Sequence, residues 1–513
     1  MNFRIPRGGV LLLAAVFLFP FFAFSVPVSA EGMAQDITAQ SNVKTEGFYN
    51  PPVVLDGNYN DYTNAYNGAT ITADNPKGIA SVYFIFETPA PAYTVEDTAS
   101  GKTAVFGDCG MIHELLDLTA AFGEAPKSIR IRLDFAIACD EIYLFSEGTL
   151  PEWVQTWQAP LEKSDILLLV SHSDDDQLFF AGLLPLYAGE RGCRVQVAYF
   201  TNHNDASLRR HELLDGLWYC GVRNYPIISE FPDLYSESYA GALSVYGAQG
   251  YTEEEFTAFV AETVEQTKPQ VLVTHDRQGE YGHGTHMLCA ESVIRACETV
   301  TEPGRTGVGS DGKWKVAKVY LHLYENNRIT LELDTPLSAF GGKSAFTVSQ
   351  EAFRFHVSQH WTWFYNWIYG NAGSPITLST QIAKYSPREY GLYATAVGAD
   401  EEKNDLLEHI LPLAEQERLA AEAERQAEES RAAAESAAAE ESRRVEESRK
   451  AEESRLAAES SRAAAEESRR AAEESRNTAG DAEKGSGRSV AIIVLAAAML
   501  SVTLLLAIQY RKR

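Results

Sequence analysis

The feature that most constrains the fold of this chain is a set of short, continuous apolar runs separated by helix-like stretches. Residues 165–170 read DILLLV and residues 270–274 read QVLVT, without the polar alternation of a strand that has one solvated face. Such runs are typical of strands buried on both faces of a sheet. Helix-like stretches at 177–192, 207–220 and 283–298 follow them. This alternation predicts an α/β domain with a Rossmann-like, mostly parallel sheet, in which ligands bind beyond the carboxyl ends of the strands.

Regions of different composition flank this part of the chain, which we assign to residues 160–405. Residues 48–155 consist of short alternating runs broken by turn residues, and this spacing predicts a preceding β-sandwich module. That module resembles carbohydrate-binding and discoidin-like domains, and a purely structural spacer is the alternative. Residues 412–477 are rich in Ala, Glu, Arg and Ser, which favour a solvated helical stalk.

Both ends of the chain carry apolar segments. Residues 1–30 combine a basic start, an apolar run and a small-residue cleavage site, which predict a signal peptide; an uncleaved N-terminal anchor is the alternative. Residues 490–508 have the length and apolar character of one transmembrane helix. The basic tail at 509–513 places the last residues in the cytoplasm. The sequence therefore predicts a single-pass type I protein of the cell membrane, with the bulk of the chain outside a bacterial cell.

The charge of the chain limits its partners. The sequence has 71 acidic and 44 basic residues, and its formal net charge is −27. Because binding to nucleic acid needs a basic surface, we predict no nucleic-acid partner. No G-x-G-x-x-G motif follows the first apolar strand, which disfavours a dinucleotide cofactor.

The first candidate site directly follows the apolar run at 165–170. Residues 171–176 read SHSDDD, so a histidine and three consecutive acids lie at the carboxyl end of a predicted strand. Consecutive carboxylates repel one another and are costly unless a cation or a donor compensates them. A neutral imidazole and a carboxylate oxygen are ligands that zinc accepts. An Asp-rich helix cap is the alternative interpretation.

A second cluster follows the apolar run at 270–274. Residues 275–286 read HDRQGEYGHGTH. His283 and His286 are three positions apart at the start of a predicted helix, so both can point to one face. Two strand ends of one parallel sheet can converge on one metal. The two clusters together predict a catalytic zinc with three protein ligands and an open position for water.

In these two motifs the sequence resembles the PIG-L/LmbE-like family of zinc-dependent N-acetylglucosaminyl deacetylases. The family motifs read AHPDDE and HPDH, and here they appear as SHSDDD and HGTH in the same order. The resemblance covers about residues 165–405 and extends to LRRHE at 208–212. Thr285 stands where the family has an aspartate that orients or charges the neighbouring histidine.

The resemblance implies a role for each matching residue. The zinc ligands would be His172, Asp175 and His286. The residues that act on the substrate would be Asp174 as general base, His283 near the leaving amine, and Tyr281 and Arg209 in contact with the substrate or intermediate.

These roles imply a zinc-dependent hydrolase that removes N-acetyl groups from N-acetylglucosamine-containing glycans or glycoconjugates at the cell surface. Its partner would be an N-acetylated amino sugar or glycan. A non-catalytic, metal-containing adhesin that binds glycans is the alternative, and an enzyme of the same fold acting on another amide or ester is a third hypothesis. The roles of four further features are left open. His203 and His275 lie at strand ends and could line the cleft. Glu280 could bind substrate or be an exposed acid in a turn, and the aromatic stretch at 361–364 could pack in the core or contact a sugar.

Overall fold

The computed structural model of this protein describes residues 32–479. Its strands, numbered in chain order, are β1 (Asn42–Phe48), β2 (Thr63–Asp74), β3 (Ser81–Phe86), β4 (Tyr93–Asp97), β5 (Lys102–Phe106), β6 (His113–Asp117), β7 (Ser128–Leu133), β8 (Ile137–Phe145), β9 (Ile166–Val170), β10 (Val195–Tyr199), β11 (Ile227–Ile228), β12 (Val271–Thr274), β13 (Gly307–Val308), β14 (Trp314–Lys315), β15 (Lys318–His322), β16 (Ile329–Thr330), β17 (Gly370–Asn371), β18 (Ser374–Pro375) and β19 (Glu389–Thr395).

The α-helices are α1 (Leu118–Phe122), α2 (Ser207–Tyr219), α3 (Tyr239–Gly247), α4 (Glu253–Thr267), α5 (Gly284–Val300), α6 (Ala345–Phe353), α7 (Trp363–Tyr369) and α8 (Leu413–Ala479). The chain divides after Gln416 into two compact units. The first unit contains all the strands, and α8 forms the second unit from Glu417 onward.

Strands β1 to β8 form one antiparallel sheet in the order β5-β4-β7-β2-β8-β3-β6, with β1 also paired to β2. The long strand β2 joins the two halves, because its first residues pair with β8 and its last six pair with β7. Alternate residues of β7, such as Ile129 and Ile131, point inward, while Arg130 and Arg132 are exposed. Inward-facing residues from both halves meet in a single core, so the sheet curves around its own interior.

The second sheet has the order β11-β10-β9-β12-β15-β19-β16. Strands β9 to β12 and β15 pair in parallel, whereas β19 and β16 pair antiparallel at one edge. The central strand β9 is buried on both faces: Leu168 packs with α2 and α6, and Leu167 packs with α4 and α5. Because helices cover both faces, the polar loops at the carboxyl ends of β9 and β12 come together at one edge of the layer.

The sequence predicts a Rossmann-like, mostly parallel sheet that is preceded by a β-sandwich and followed by a stalk and one transmembrane helix. This predicted fold class is wrong. The larger sheet is antiparallel and nearly closed around one core rather than two stacked sheets. The second sheet is mixed, because β19 and β16 run antiparallel. An antiparallel edge strand needs no crossover helix, so the strand–helix alternation of the sequence gave no sign of it.

The predicted membrane localisation is also corrected. Between residues 32 and 479 the protein has no helix both long and apolar enough to cross a bilayer. Helix α8 has the length, at 67 residues, but it is rich in charged side chains. The predicted signal peptide at 1–30, the predicted transmembrane helix at 490–508 and the tail at 509–513 lie outside the described residues. The described part of the chain, residues 32–479, therefore contains no spanning helix that would support the single-pass cell-membrane assignment.

Candidate metal centre

Two loops meet where β9 and β12 end side by side. The backbone N–H of Ser171, the first residue after β9, donates a hydrogen bond to Nε2 of His275, the first residue after β12, at 2.9 Å. Gly279, with φ of 66°, turns the second loop back on itself, and a Cβ atom there would lie 2.5 Å from the carbonyl oxygen of His283. The second loop thus returns to the strand end and enters α5.

Ligand-type atoms of three side chains converge between these loops. Nδ1 of His172 lies 3.0 Å from Nε2 of His286 and 3.2 Å from Oδ2 of Asp175, and Nε2 of His286 lies 3.4 Å from Oδ1 of Asp175. Donor atoms around a tetrahedral zinc ion with bonds of about 2.0–2.1 Å are about 3.3 Å apart. All three side chains are buried. The donor set and its spacing therefore fit a zinc ion.

The fully buried Glu280 carboxylate orients the histidines behind these atoms. Its Oε2 accepts hydrogen bonds from Nδ1 of His286 at 2.7 Å and of His275 at 2.8 Å, and its Oε1 contacts Nδ1 of His322 at 2.6 Å. Burial acts to raise the pKa of Glu280, but His275 and the hydrogen bonds from the three imidazoles hold it well below its usual value. Because Nδ1 of His286 faces a carboxylate, its Nε2 is free to bind a metal, as in many metal sites.

The electrostatics of the centre favour a cation. Burial acts to lower the pKa of His172, yet the carboxylates of Asp233 and Asp175 raise it to about 10. Burial likewise acts to lower the pKa of His275, while Glu280 and Asp175 raise it to about 9. Buried carboxylates therefore draw positive charge to the position where the three ligand atoms converge.

Asp174 lies beside the ligand atoms and contacts Arg209. Nη2 of Arg209 is 3.4 Å from Oδ1 of Asp174, and Nη1 is 3.3 Å from Oδ2 of Asp233. Burial raises the pKa of Asp174, Asp175 raises it further, and Arg209 opposes both. The result is a buried carboxyl group with a raised pKa, held by a guanidinium group, next to the candidate metal position.

His283 caps the N-terminus of α5 with its side chain. Its Nδ1 accepts a hydrogen bond from the backbone N–H of Thr285 at 3.3 Å, and its ring centroid lies 4.7 Å from that of His172 and 4.6 Å from that of His286. Burial, followed by His286 and His172, lowers the pKa of His283 to about 2. The imidazole is therefore neutral and carries its proton on Nε2.

Tyr281 and an aromatic group from α7 form the rim of the centre. Tyr281 has a left-handed backbone, with φ of 52°, and its ring centroid lies 5.5 Å from that of His283 and 5.6 Å from that of His286. The ring of Trp363 lies 5.4 Å from that of Tyr281, and Trp363 is 45% exposed. Part of the aromatic stretch at 361–364 therefore packs against Tyr281 beside the centre and is partly exposed.

The structure brings together all seven residues predicted from the sequence. They are His172, Asp175 and His286 at the convergence point, and Asp174, Arg209, His283 and Tyr281 around it.

Two residues of this centre are not among those predicted from the sequence, and a third lies where neither prediction placed it. Asp233 follows β11, which has only two residues and so produces no recognisable strand pattern. His322 is the last residue of β15, and the strand-end rule that identified the other loops would have found it. Glu280, considered as a substrate ligand or exposed turn acid, is instead fully buried behind the histidines.

Comparison with known proteins agrees with the motifs. Residues 167–297 match the family model described as PIG-L: GlcNAc-PI de-N-acetylase. A 1D-myo-inositol 2-acetamido-2-deoxy-alpha-D-glucopyranoside deacetylase from Kineococcus radiotolerans is 42% identical over 67 residues, which are 13% of this chain and 19% of that protein. The protein of the same name from Streptomyces avermitilis is 27% identical over 179 residues, covering 30% of this chain and 60% of that protein.

The chain thus spans less than two thirds of the length of these relatives. Among solved structures, the N,N'-diacetylchitobiose deacetylase from Pyrococcus horikoshii matches with 15% identity and a TM-score of 0.29, over 46% of this chain and 86% of that one. The family match contains both motifs of the candidate centre, at 171–176 and 283–286, so residues 167–297 form a PIG-L domain within this chain.

Proposed function

We propose that this protein is a zinc-dependent N-deacetylase that removes N-acetyl groups from N-acetylglucosamine-containing glycans or glycoconjugates. The observation that carries the proposal is the convergence of His172, Asp175 and His286 within 3.4 Å, beside the buried acid Asp174. The names of the curated relatives describe deacetylases of a 2-acetamido sugar, which supports the substrate class.

The three convergent residues would hold the zinc ion, with Glu280 fixing the orientation of His286. When bound there, zinc supplies a Lewis acid that activates water and polarises the acetamide carbonyl. His275 links Asp175 to Glu280, since its Nε2 lies 3.2 Å from Oδ2 of Asp175 and its Nδ1 2.8 Å from Oε2 of Glu280. The ligand residues are therefore held in place by a network that does not itself contact the substrate.

Asp174 would act as the general base. Its raised pKa brings its basicity closer to neutral pH, which favours transfer of a proton from the attacking water. The contact with Arg209 holds one carboxylate oxygen and leaves the other available. The proton that Asp174 accepts from water is then available for the amine as it leaves, so that one carboxyl group serves both steps.

His283 would stabilise the oxygen of the tetrahedral intermediate. Because Nδ1 is occupied by the Thr285 backbone N–H, its Nε2–H is the group left to donate a hydrogen bond. A pKa near 2 makes the imidazole a neutral donor at physiological pH rather than an acid. The threonine at 285 fits this role, because a neutral imidazole needs no carboxylate partner.

The aromatic rim would contact the sugar. Trp363 is about half exposed beside Tyr281, and Trp361 is 85% exposed nearby in the chain. Aromatic lining with a few polar groups is typical of small-ligand sites. A pyranose ring stacked on Trp363 would direct its acetamido group toward the buried polar residues.

Acetate release by the full-length chain tests the proposal. We would measure it on N-acetylglucosamine, N,N'-diacetylchitobiose and an N-acetylglucosamine–inositol conjugate, with added Zn²⁺ or with a chelator. We expect release that the chelator abolishes and that His286→Ala lowers by at least about 100-fold, since a ligand is lost. His409→Ala, at an exposed histidine, is the matched control. Bound zinc without acetate release would favour a glycan-binding protein, and no bound zinc would refute the metal centre.

A further inference from the structure

A second cluster of metal-ligand residue types lies where the antiparallel sheet contacts α2. Glu87 directly follows β3, Asp140 lies in β8 and His211 lies in α2, and one ligand atom from each lies within 4.8 Å of the other two. Glu87 is 7% exposed, and Asp140 and His211 are fully buried. None of these residues belongs to the centre around His172.

The inward-facing atoms of this cluster are unsatisfied. Neither carboxylate oxygen of Asp140 nor Nε2 of His211 receives or donates a hydrogen bond within residues 32–479. Nε2 of His211 and Oδ1 of Asp140 lie 3.7 Å apart, too far for a hydrogen bond but close enough to share a ligand. A buried carboxylate without a partner is costly, and such groups in native proteins commonly mark a bound ion or water.

Nδ1 of His211 and Oε2 of Glu87, in contrast, have partners on the other side of the cluster. Nδ1 of His211 lies 2.9 Å from Nε2 of His113, whose Nδ1 lies 2.6 Å from the hydroxyl of Tyr83. Nη2 of Arg210 donates to Oε2 of Glu87 at 2.8 Å. A histidine with one nitrogen fixed by a partner and the other free toward two carboxylates has the arrangement of a metal ligand with its supporting contacts.

The backbone of β8 is bent so that Asp140 enters the cluster. In the pairing with β3, Ile85 is opposite Glu141 and Phe86 is opposite Cys139, so Asp140 has no opposite residue and forms a β-bulge. Bulges redirect side chains and are common beside functional sites. The bulge turns the Asp140 carboxylate from the sheet toward α2, where His211 and Arg210 lie.

We propose that Glu87, Asp140 and His211 bind a divalent transition-metal ion that joins the N-terminal antiparallel sheet to the α/β region. Arg210 pairs with Glu87, while burial and the charge of Glu87 raise the pKa of Asp140 to about 9. A bound cation would take the place of the proton on Asp140 and compensate the charge of the ionised carboxylate. One imidazole and two carboxylates suit Zn²⁺ among divalent ions. The ligands come from both the antiparallel sheet and α2, which assigns the ion a structural role, and the competing occupant is a proton shared between Asp140 and Glu87.

Zinc counting in the full-length chain tests this proposal. After loading with Zn²⁺ and dialysis, elemental analysis should find about two zinc ions per chain. Asp140→Asn should lose one of them, His286→Ala should lose the other, and the double variant should lose both. Asp134→Asn, an exposed aspartate between β7 and β8, is the matched control and should keep both. The proposal is overturned if Asp140→Asn keeps the wild-type zinc content.

Two features keep the test decisive. Asparagine has the shape of a protonated aspartic acid, so Asp140→Asn would preserve a shared-proton arrangement while removing a metal ligand. Anomalous diffraction at the zinc edge from wild-type crystals needs no variant to fold: a peak between Asp140 and His211 is expected, and a peak at His172 alone would refute the second site. Acetate release enters neither measurement, so the outcome does not depend on the proposed function.

Discussion

The two buried clusters of imidazoles and carboxylates in this protein handle their charge in different ways. Around His172, Glu280 contacts three imidazoles within 2.8 Å, and carboxylates raise the pKa of two buried histidines. Around Asp140, no donor within the described chain reaches either carboxylate oxygen. The first cluster can balance its charge with protons on its own histidines. In the second, burial and Glu87 raise the pKa of Asp140 to about 9, so its carboxyl group binds a proton or, as proposed, a metal ion.

The clusters also differ in access and in the element that builds them. The first lies on loops at the ends of β9 and β12, beside the half-exposed Trp363. The second lies on a bulge in an antiparallel strand and is sealed by α2. Consecutive residues of α2 serve both, since Arg209 contacts Asp174 and Arg210 contacts Glu87. One helix therefore connects the centre at the strand ends with the cluster in the antiparallel sheet.

The largest effect should come from Asp174→Asn, which tests whether chemistry resides in the first cluster. Without a base we expect acetate release to fall about 10²–10⁴-fold. Zinc content should not change, because Asp174 contacts Arg209 rather than supplying a ligand atom. Asp311→Asn, at an exposed aspartate paired with Lys315, is the matched control. Activity within twofold of the wild type would show that Asp174 is not the base.

A smaller effect is expected from Glu280→Gln, which removes the anion that distinguishes the first cluster. The glutamine amide has one acceptor oxygen where the carboxylate has two, so it cannot accept hydrogen bonds from all three imidazoles. His286 therefore loses the contact that fixes its orientation. We expect zinc affinity at this centre to fall about 10–100-fold, measured by competition with a chromophoric chelator. Glu291→Gln, which breaks a surface ion pair with Arg277, should leave the affinity unchanged. Equal affinity in both variants would mean that Glu280 does not support the ligands.

How far each cluster could be predicted depends on the elements that carry it. His172, Asp175 and His286 follow long apolar runs or start a helix, so the rule that sites lie at strand ends points to them directly. Asp233 follows a two-residue strand and leaves no such pattern. Asp140 reaches its cluster through a bulge, and a bulge depends on the pairing of β3 with β8, which single-strand patterns do not contain.

The same limit applies to the fold. Alternation of arginine and isoleucine in β7 identifies a strand with one buried face, but not how β2 connects the two halves of the sheet. The parallel strands can be predicted because a helix-like sequence pattern follows them. Strand β19 pairs antiparallel at the sheet edge and needs no crossover helix, so this pattern does not predict its position. Local periodicity therefore predicts elements and strand ends, and long-range pairing decides the architecture.

A third acid, the partly buried Asp215, is intermediate between these two clusters in how its charge is compensated. It follows His211 by one turn of α2 and accepts hydrogen bonds from the hydroxyl of Tyr59 and from Nε2 of Gln155. Burial raises its pKa to about 7, against the opposing effect of these two hydrogen bonds. It thus has donors, unlike Asp140, but no imidazole cluster or cation to keep it ionised.

The smallest effect we predict is a change in how stability depends on pH. An unfolded aspartate has a pKa near 3.9, so between about pH 4 and pH 7 the folded protein binds more protons at Asp215 than the unfolded chain, and this contribution to stability falls as pH rises. Asp215→Asn is neutral at every pH and should remove about 1.4 kcal/mol of the decline between pH 6 and pH 8, measured by urea unfolding. Asp134→Asn, at an exposed site, should keep the wild-type slope. If Asp215→Asn also keeps that slope, the carboxyl group is ionised throughout and its two donors outweigh its burial.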